Sequence, residues 1–175
     1  MSLFLINGSA GTGKSTVCEV LKEKGYSAYD VDVDGLARWT NLETGYVHPK
    51  SSVKTADRTP EFLAAHRRYV PRDDIQRLRN DSEGKITFLC GHLGNLDKVS
   101  DLFSGIFALY VDDETLRNRL SIRTGNDWGV QEHEVEQTIR NHHNLYDKYK
   151  SMGAIIIDAT QTPEQVANDI LDKVQ

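Results

Sequence analysis

Residues 6–16 read INGSAGTGKST. Gly8, four further residues, then Gly13, Lys14 and Ser15 reproduce the spacing G-x-x-x-x-G-K-[ST] of a phosphate-binding loop. Gly8, Gly11 and Gly13 let the backbone close around an anion and turn its N–H groups inward, and Ser9, Ala10 and Thr12 between them add no bulk. A helix opening at Lys14, Ser15 and Thr16 would add free N–H groups and the positive end of its dipole. Lys14 brings a full charge to the outer phosphates, and the Ser15 hydroxyl can ligate Mg²⁺. The chemistry is that of a nucleoside triphosphate site, with ATP and Mg²⁺ as the expected cofactors.

Three acids come next. Asp30, Asp32 and Asp34 stand two residues apart, so in an extended strand all three project from one face. Several carboxylates on a core face would be expensive. They are expected at the open end of a strand near the phosphates, where one can hold a water on Mg²⁺ or take a proton from an attacking hydroxyl. The competing reading is a solvated acidic strand end. Further on, Arg119 and Arg123 are four apart and share a helix face. Arg123 opens RTGNDWG, a segment with two glycines, and a cation on such a flap can close over a triphosphate and stabilise charge during transfer. The alternative is a basic solvated face pairing with Asp112, Asp113 and Glu114.

Other residues could choose what receives the phosphate. Arg58, Arg67, Arg68 and Arg72 crowd residues 35–84. If they face the cleft, an anionic acceptor such as a nucleoside monophosphate fits; if Asp32 and Asp34 hold the acceptor, hydroxyls of a nucleoside or polyol fit. His92 stands beside Gly91 at a strand end, where it can touch substrate. His142 and His143 are adjacent, on different helix faces and without the i, i+4 spacing of a metal pair, and are expected in solvent. Trp39 and Trp128 fall near the expected cleft, as ring-stacking or as packing residues.

These residues need a scaffold, and the hydropathy pattern supplies one. Apolar strands are expected at residues 2–6, 26–33, 85–91, 105–111 and 153–160, with helices at 15–24, 95–103, 112–123, 130–152 and 163–174. Unbroken apolar strands alternating with helices belong to a parallel sheet covered on both faces, a three-layer α/β sandwich with five main strands. Ligands of such sheets lie at the carboxyl ends of the strands, which gathers residues 8–16, the acids and the Gly91–His92 corner on one rim. Residues 35–84 are polar and weakly periodic, with helices expected at 59–68 and 71–80, and read as a helical and loop insertion over the sheet rather than a second domain. The whole chain, 1–175, is expected to form one domain.

The 175 residues suffice for a proper core, and no apolar run approaches the ~20 residues of a membrane span. The N-terminus carries no signal-peptide pattern. Two cysteines, Cys18 and Cys90, form no disulfide framework or zinc cluster and read as buried thiols, which fits a reducing cytoplasm. A net charge of −5 argues against a nucleic-acid partner held by bulk electrostatics. The expected partner is a small-molecule phosphate acceptor.

The chain resembles the small P-loop kinases of the adenylate, shikimate and gluconate kinase type. GSAGTGKST is similar to their phosphate loop, YDVD at 29–32 to the strand-two motif of shikimate kinases, RLSIR at 119–123 to the R-x-x-x-R that opens the adenylate kinase lid, and IDATQTPEQV at 157–166 to their adenine-side loop. The resemblance implies that Arg119 stacks on adenine, with residues 159–163, Thr160 and Pro163 among them, on the other side of the base. It implies that Arg123, and Arg140 likewise, reach the transferring phosphate. It also implies that an Asp of strand two serves as base or substrate anchor, either from the pair Asp30 and Asp32 or from Asp32 and Asp34. It fails over residues 35–84, where such enzymes choose their acceptor. Gly91 matches the strand-three corner, whereas His92 and Asn95 depart from it. No acid ends that strand, which shifts the burden for Mg²⁺ to Ser15 and Asp32. The lid at 123–130 is short and lacks cysteines, so it carries no zinc. The function implied is transfer of the γ-phosphoryl of ATP to a nucleoside, nucleotide or small hydroxylated metabolite. The alternative is a nucleotide-binding ATPase, sensor or assembly protein without an acceptor.

Overall fold

A computed structural model describes residues 2–50, 52–122 and 132–174. Strand β1 (Ser2–Asn7) is the centre of the sheet. It pairs in parallel with β5 (Ile86–Cys90) on one side and β6 (Gly105–Tyr110) on the other. Beyond β5 lies β2 (Ser27–Asp30), and beyond β6 lies β7 (Ile155–Asp158), giving the order β2-β5-β1-β6-β7. The chain leaves β1 towards one edge and, after β5, crosses to the other. The carboxyl end of β1 is therefore the switch point where a ligand crevice opens.

The five strands are short and apolar because both faces are covered. Phe4, Ile6, Phe88, Cys90, Phe107 and Leu109 face a core closed by α1 (Lys14–Glu23), α5 (Asp113–Ser121) and α7 (Pro163–Leu171). Leu3, Leu5, Leu89 and Ala108 face a second core closed by α3 (Arg72–Asp81), α4 (Leu96–Val99) and α6 (Glu132–Ser151). This is the three-layer α/β architecture with a five-stranded parallel sheet that the alternation of strands and helices predicts. Cys18 and Cys90 are free thiols in the first core, and burial pushes the Cys90 thiol up. No described helix is long and apolar enough to cross a membrane.

The structure departs from the sequence reading in four places. The second strand stops at Asp30, not Val33: Asp30 Oδ1 accepts the backbone N–H groups of Asp32 and Val33 at 2.8 and 2.9 Å and bends the chain into a turn. The three acids therefore do not share a strand face. The helix expected at 59–68 splits into α2 (Pro60–Ala65) and a strand β4 (His66–Tyr69), which pairs antiparallel with β3 (Arg38–Asn41). The insertion is thus built on a ribbon as well as on helices and loops. The helix expected at 95–103 is only one turn of α4 followed by a 3₁₀ turn, Ser100–Leu102. His142, expected in solvent, is fully buried.

Candidate active site

The phosphate loop wraps the first turn of α1 as the glycine spacing requires. Gly13, the residue before the helix, has φ 96° and ψ 11°, a left-handed conformation that side chains with a Cβ rarely adopt. Gly8 is needed for room as well, since a Cβ there would stand 2.7 Å from Thr12 Oγ1 and 2.9 Å from the Leu109 carbonyl. Lys14 Nζ donates to the Ser9 carbonyl at 2.7 Å, folded over the loop it would serve. Ser15 and Thr16 are exposed on the first turn of the helix and line the cleft.

The loop is pinned from below by α6. His142 Nε2 donates to the Val111 carbonyl at 2.8 Å, and its Nδ1 lies 2.9 Å from Ser9 Oγ. The carbonyl can only accept, so the proton sits on Nε2 and Nδ1 is left to accept from the serine hydroxyl. Two turns further along the same face, the Tyr149 hydroxyl donates to Asn7 Oδ1 at 3.1 Å, and that oxygen also accepts Gly8 N–H at 2.7 Å. Sequence reasoning missed both side chains. The one signal was the spacing of 138, 142, 146 and 149 along one helical stripe, which carries polar and aromatic residues where aliphatic ones are the usual core marker.

A cleft of about 1570 Å³ runs along the carboxyl rim. Its floor is residues 9–17. One wall holds Arg119, Ala159, Gln161 and Pro163, and Arg119 Nη1 lies 3.5 Å from the Thr12 carbonyl. Thr160 stays out of this wall, with its hydroxyl and N–H both turned to Asp158 Oδ1. The opposite wall comes from the insertion and α6: Arg38, Trp39, Arg67, Arg68 and Lys148, with His92 between. The Arg68 guanidinium lies 5.7 Å from the centre of the Trp39 ring, and its Nη2 is 2.7 Å from Asp32 Oδ1. Its Nε–H is buried with no hydrogen-bond partner among the described residues. Arg67 donates to the Leu63 and His66 carbonyls, and Arg38 to the Gly35 and Ala37 carbonyls, so backbone oxygens hold both in place.

The acids divide into different tasks. Asp30 and Asp32 line the cleft, whereas Asp34 does not; its Oδ2 accepts Asp30 N–H at 2.8 Å and locks the turn. Asp30 is buried and engaged with the same turn, and Asp32 is half exposed. Gly91 closes the corner beside them. A Cβ there would lie 2.3 Å from Val31 Cβ, so the strand ends can meet only with glycine. Arg58 lines the cleft but is buried against Glu134 of α6, with Nε and Oε1 3.1 Å apart. Arg140 faces a smaller neighbouring cavity with Arg67 and His133. Arg123, Trp128 and the lid expected at 123–130 lie outside the described residues.

His92 is half buried, and its Nδ1 is 3.3 Å from the Tyr149 hydroxyl. Burial, with like charge from Lys14, Lys148, Arg67 and Arg68, pushes its pKa down to about 4, so the ring is neutral at ordinary pH. Among the described residues no group of three or more His, Cys, Asp or Glu is placed to hold a metal. Mg²⁺ at a nucleotide keeps several waters and needs only one or two protein oxygens. The Ser15 hydroxyl and the Asp32 carboxylate, on the same cleft, are hard oxygen donors of that kind.

Residues 5–140 match the AAA domain family. The chain belongs to that family. The fold of this AAA domain chain is that of P-loop kinases. Shikimate kinase from Acinetobacter baumannii in complex with shikimate aligns with a TM-score of 0.61 at 16% identity, over 99% of this chain and 93% of the other. A sugar kinase from Janibacter sp. HTCC2649 aligns at 0.56 and 18%, over 98% and 93%. Deoxyadenosine kinase from M. mycoides aligns at 0.56 and 16%, over 98% and 97%. No curated protein matches the chain by sequence.

Proposed function

We propose that this AAA domain chain is an Mg-ATP-dependent phosphotransferase that moves the γ-phosphoryl of ATP to a small acceptor, a nucleoside, a nucleotide or a hydroxylated metabolite. One observation carries the reading: the phosphate loop is the floor of a cleft whose far wall is a basic, tryptophan-bearing surface built by the insertion. The kinase character of the structural neighbours supports it.

In this reading the loop amides and the first turn of α1 hold the β- and γ-phosphates, and Lys14 exchanges the Ser9 carbonyl for a phosphate oxygen. Arg119 and the turn at 159–163 take the adenine. Ser15 and Asp32 would hold Mg²⁺, which when bound neutralises charge on the phosphate oxygens. Arg68, which lines the same cleft with its Nη2 on Asp32, orients the acceptor against the loop. Arg123 and Arg140 are proposed at the transferring phosphate. The acceptor oxygen attacks the γ-phosphorus in line, and ADP leaves.

The test is ADP release by the purified chain with Mg-ATP, alone and with gluconate, shikimate, deoxyadenosine, deoxycytidine and nucleoside monophosphates. At least tenfold stimulation by one of them is expected. A flat panel with tight Mg-ATP binding would refute the acceptor and leave a nucleotide-binding ATPase.

A further inference from the structure

The proton on His92 is assigned by a chain of hydrogen bonds that starts at the phosphate loop. Gly8 N–H donates to Asn7 Oδ1 at 2.7 Å, so that atom is the amide oxygen and not the nitrogen. The Tyr149 hydroxyl lies 3.1 Å from the same oxygen and must place its one proton there, since two oxygens that close with no proton between them repel. Burial holds the Tyr149 phenol well above its ordinary range, so the proton is present. His92 Nδ1, 3.3 Å from the phenol, meets a lone pair and has to be the donor. The ring is therefore the Nδ1–H tautomer, and its bare Nε2 is the ring atom left to meet a ligand in the cleft His92 lines.

We infer that His92 Nε2 receives the proton of the acceptor hydroxyl, with its tautomer set by Tyr149 and Asn7 at the root of the phosphate loop. The inference rests on the kinase reading and names the group that handles the proton. The hydroxyl oxygen forms its bond to the γ-phosphorus while the bond from that phosphorus to the β-γ bridging oxygen breaks. The electron pair leaves with ADP, the hydroxyl proton passes to Nε2, and water takes it up after release.

Position favours His92 over the acids. It follows β5, between the turn that ends β2 and the loop that follows β1. Asp30 and Asp34 are engaged with backbone N–H groups, and Asp32 with Arg68. The charged and titratable groups around the ring are Lys14 of α1, Arg67 and Arg68 of β4, Lys148 and Tyr149 of α6, and Asp30 and Asp32 at the end of the neighbouring strand β2. Burial, with the cations beside it, keeps the imidazole neutral. A bound triphosphate offsets them and raises the basicity of Nε2 when a proton acceptor is needed.

Histidine ¹⁵N NMR of the full chain reads the tautomer directly. The Nδ1–H pattern is expected at pH 7, with a titration midpoint that rises when Mg-AMP-PNP is added. Tyr149→Phe should mix the tautomers and lower acceptor-stimulated kcat several-fold. His92→Gln should lower that kcat by about 10²–10⁴-fold, with calorimetric affinity for Mg-ADP within about twofold of wild type, the range that marks an unaltered loop. An Nε2–H tautomer in wild type, or a stimulated rate that His92→Gln leaves intact, overturns the assignment alone. A wild-type rate that no acceptor in the panel raises overturns the kinase reading, and this step with it.

Discussion

Glu134→Gln tests how the insertion is fastened to the rest of the molecule. Arg58 Nε and Glu134 Oε1 are 3.1 Å apart, and the two side chains are 3% and 0% exposed. The glutamine keeps the shape and removes the Glu134 charge from beside a guanidinium that is out of water. Breaking a buried pair from one side costs about 3–5 kcal/mol. In a chain of this size 1 kcal/mol shifts Tm by about 2–4 °C, so the variant should melt roughly 6–20 °C below wild type in a calorimetric scan. The double variant Arg58→Met/Glu134→Leu removes both charges together and should recover most of the loss, because no ion is then left stranded. If Arg58 is a strut, the double variant also keeps its KM for the stimulating acceptor. If it is an anion ligand, that KM rises about tenfold, the worth of one charged hydrogen bond. A Glu134→Gln variant that melts with wild type would refute the buried-charge argument.

Lys14→Ala should weaken Mg-ATP binding about 10- to 100-fold in a calorimetric titration, the loss of one hydrogen bond between charged groups, and bring ADP release to background. Gly91→Ala drives a Cβ to 2.3 Å from Val31 Cβ and should cost about 1–3 kcal/mol or more in urea unfolding, since the two strand ends must separate. His92 sets a pH dependence. Its folded pKa is about 4 against the ordinary 6.5, so below pH 6.5 the unfolded chain binds the proton first. Stability should therefore fall as pH drops from about 6.5 to 4, by up to ~3 kcal/mol, and His92→Gln should flatten that limb of the unfolding free energy.

What the amino-acid sequence determined by itself was local. Residues 8–16 adopt their loop because glycine spacing and the helix behind them are enough to shape it. The sheet and its covering helices follow from apolar strands that alternate with stripes such as Val17, Val20 and Leu21. A local signal was also present at DVDVDG: the short Asp30 side chain captures N–H groups two and three residues on and ends the strand, which alternation alone misreads.

Tertiary structure decided the rest, because the partners come from far along the chain. His66–Tyr69 become a strand through pairing with Arg38–Asn41, although local propensity continues the helix of residues 60–65. His142 is buried because a serine hydroxyl and a strand-end carbonyl, 133 and 31 residues away, satisfy both of its nitrogens. Arg58 is enclosed because Glu134, 76 residues on in α6, meets its charge. No period or spacing announces such pairs: a polar side chain is admitted to the interior only when distant groups complete its hydrogen bonds, and the fold brings those groups together.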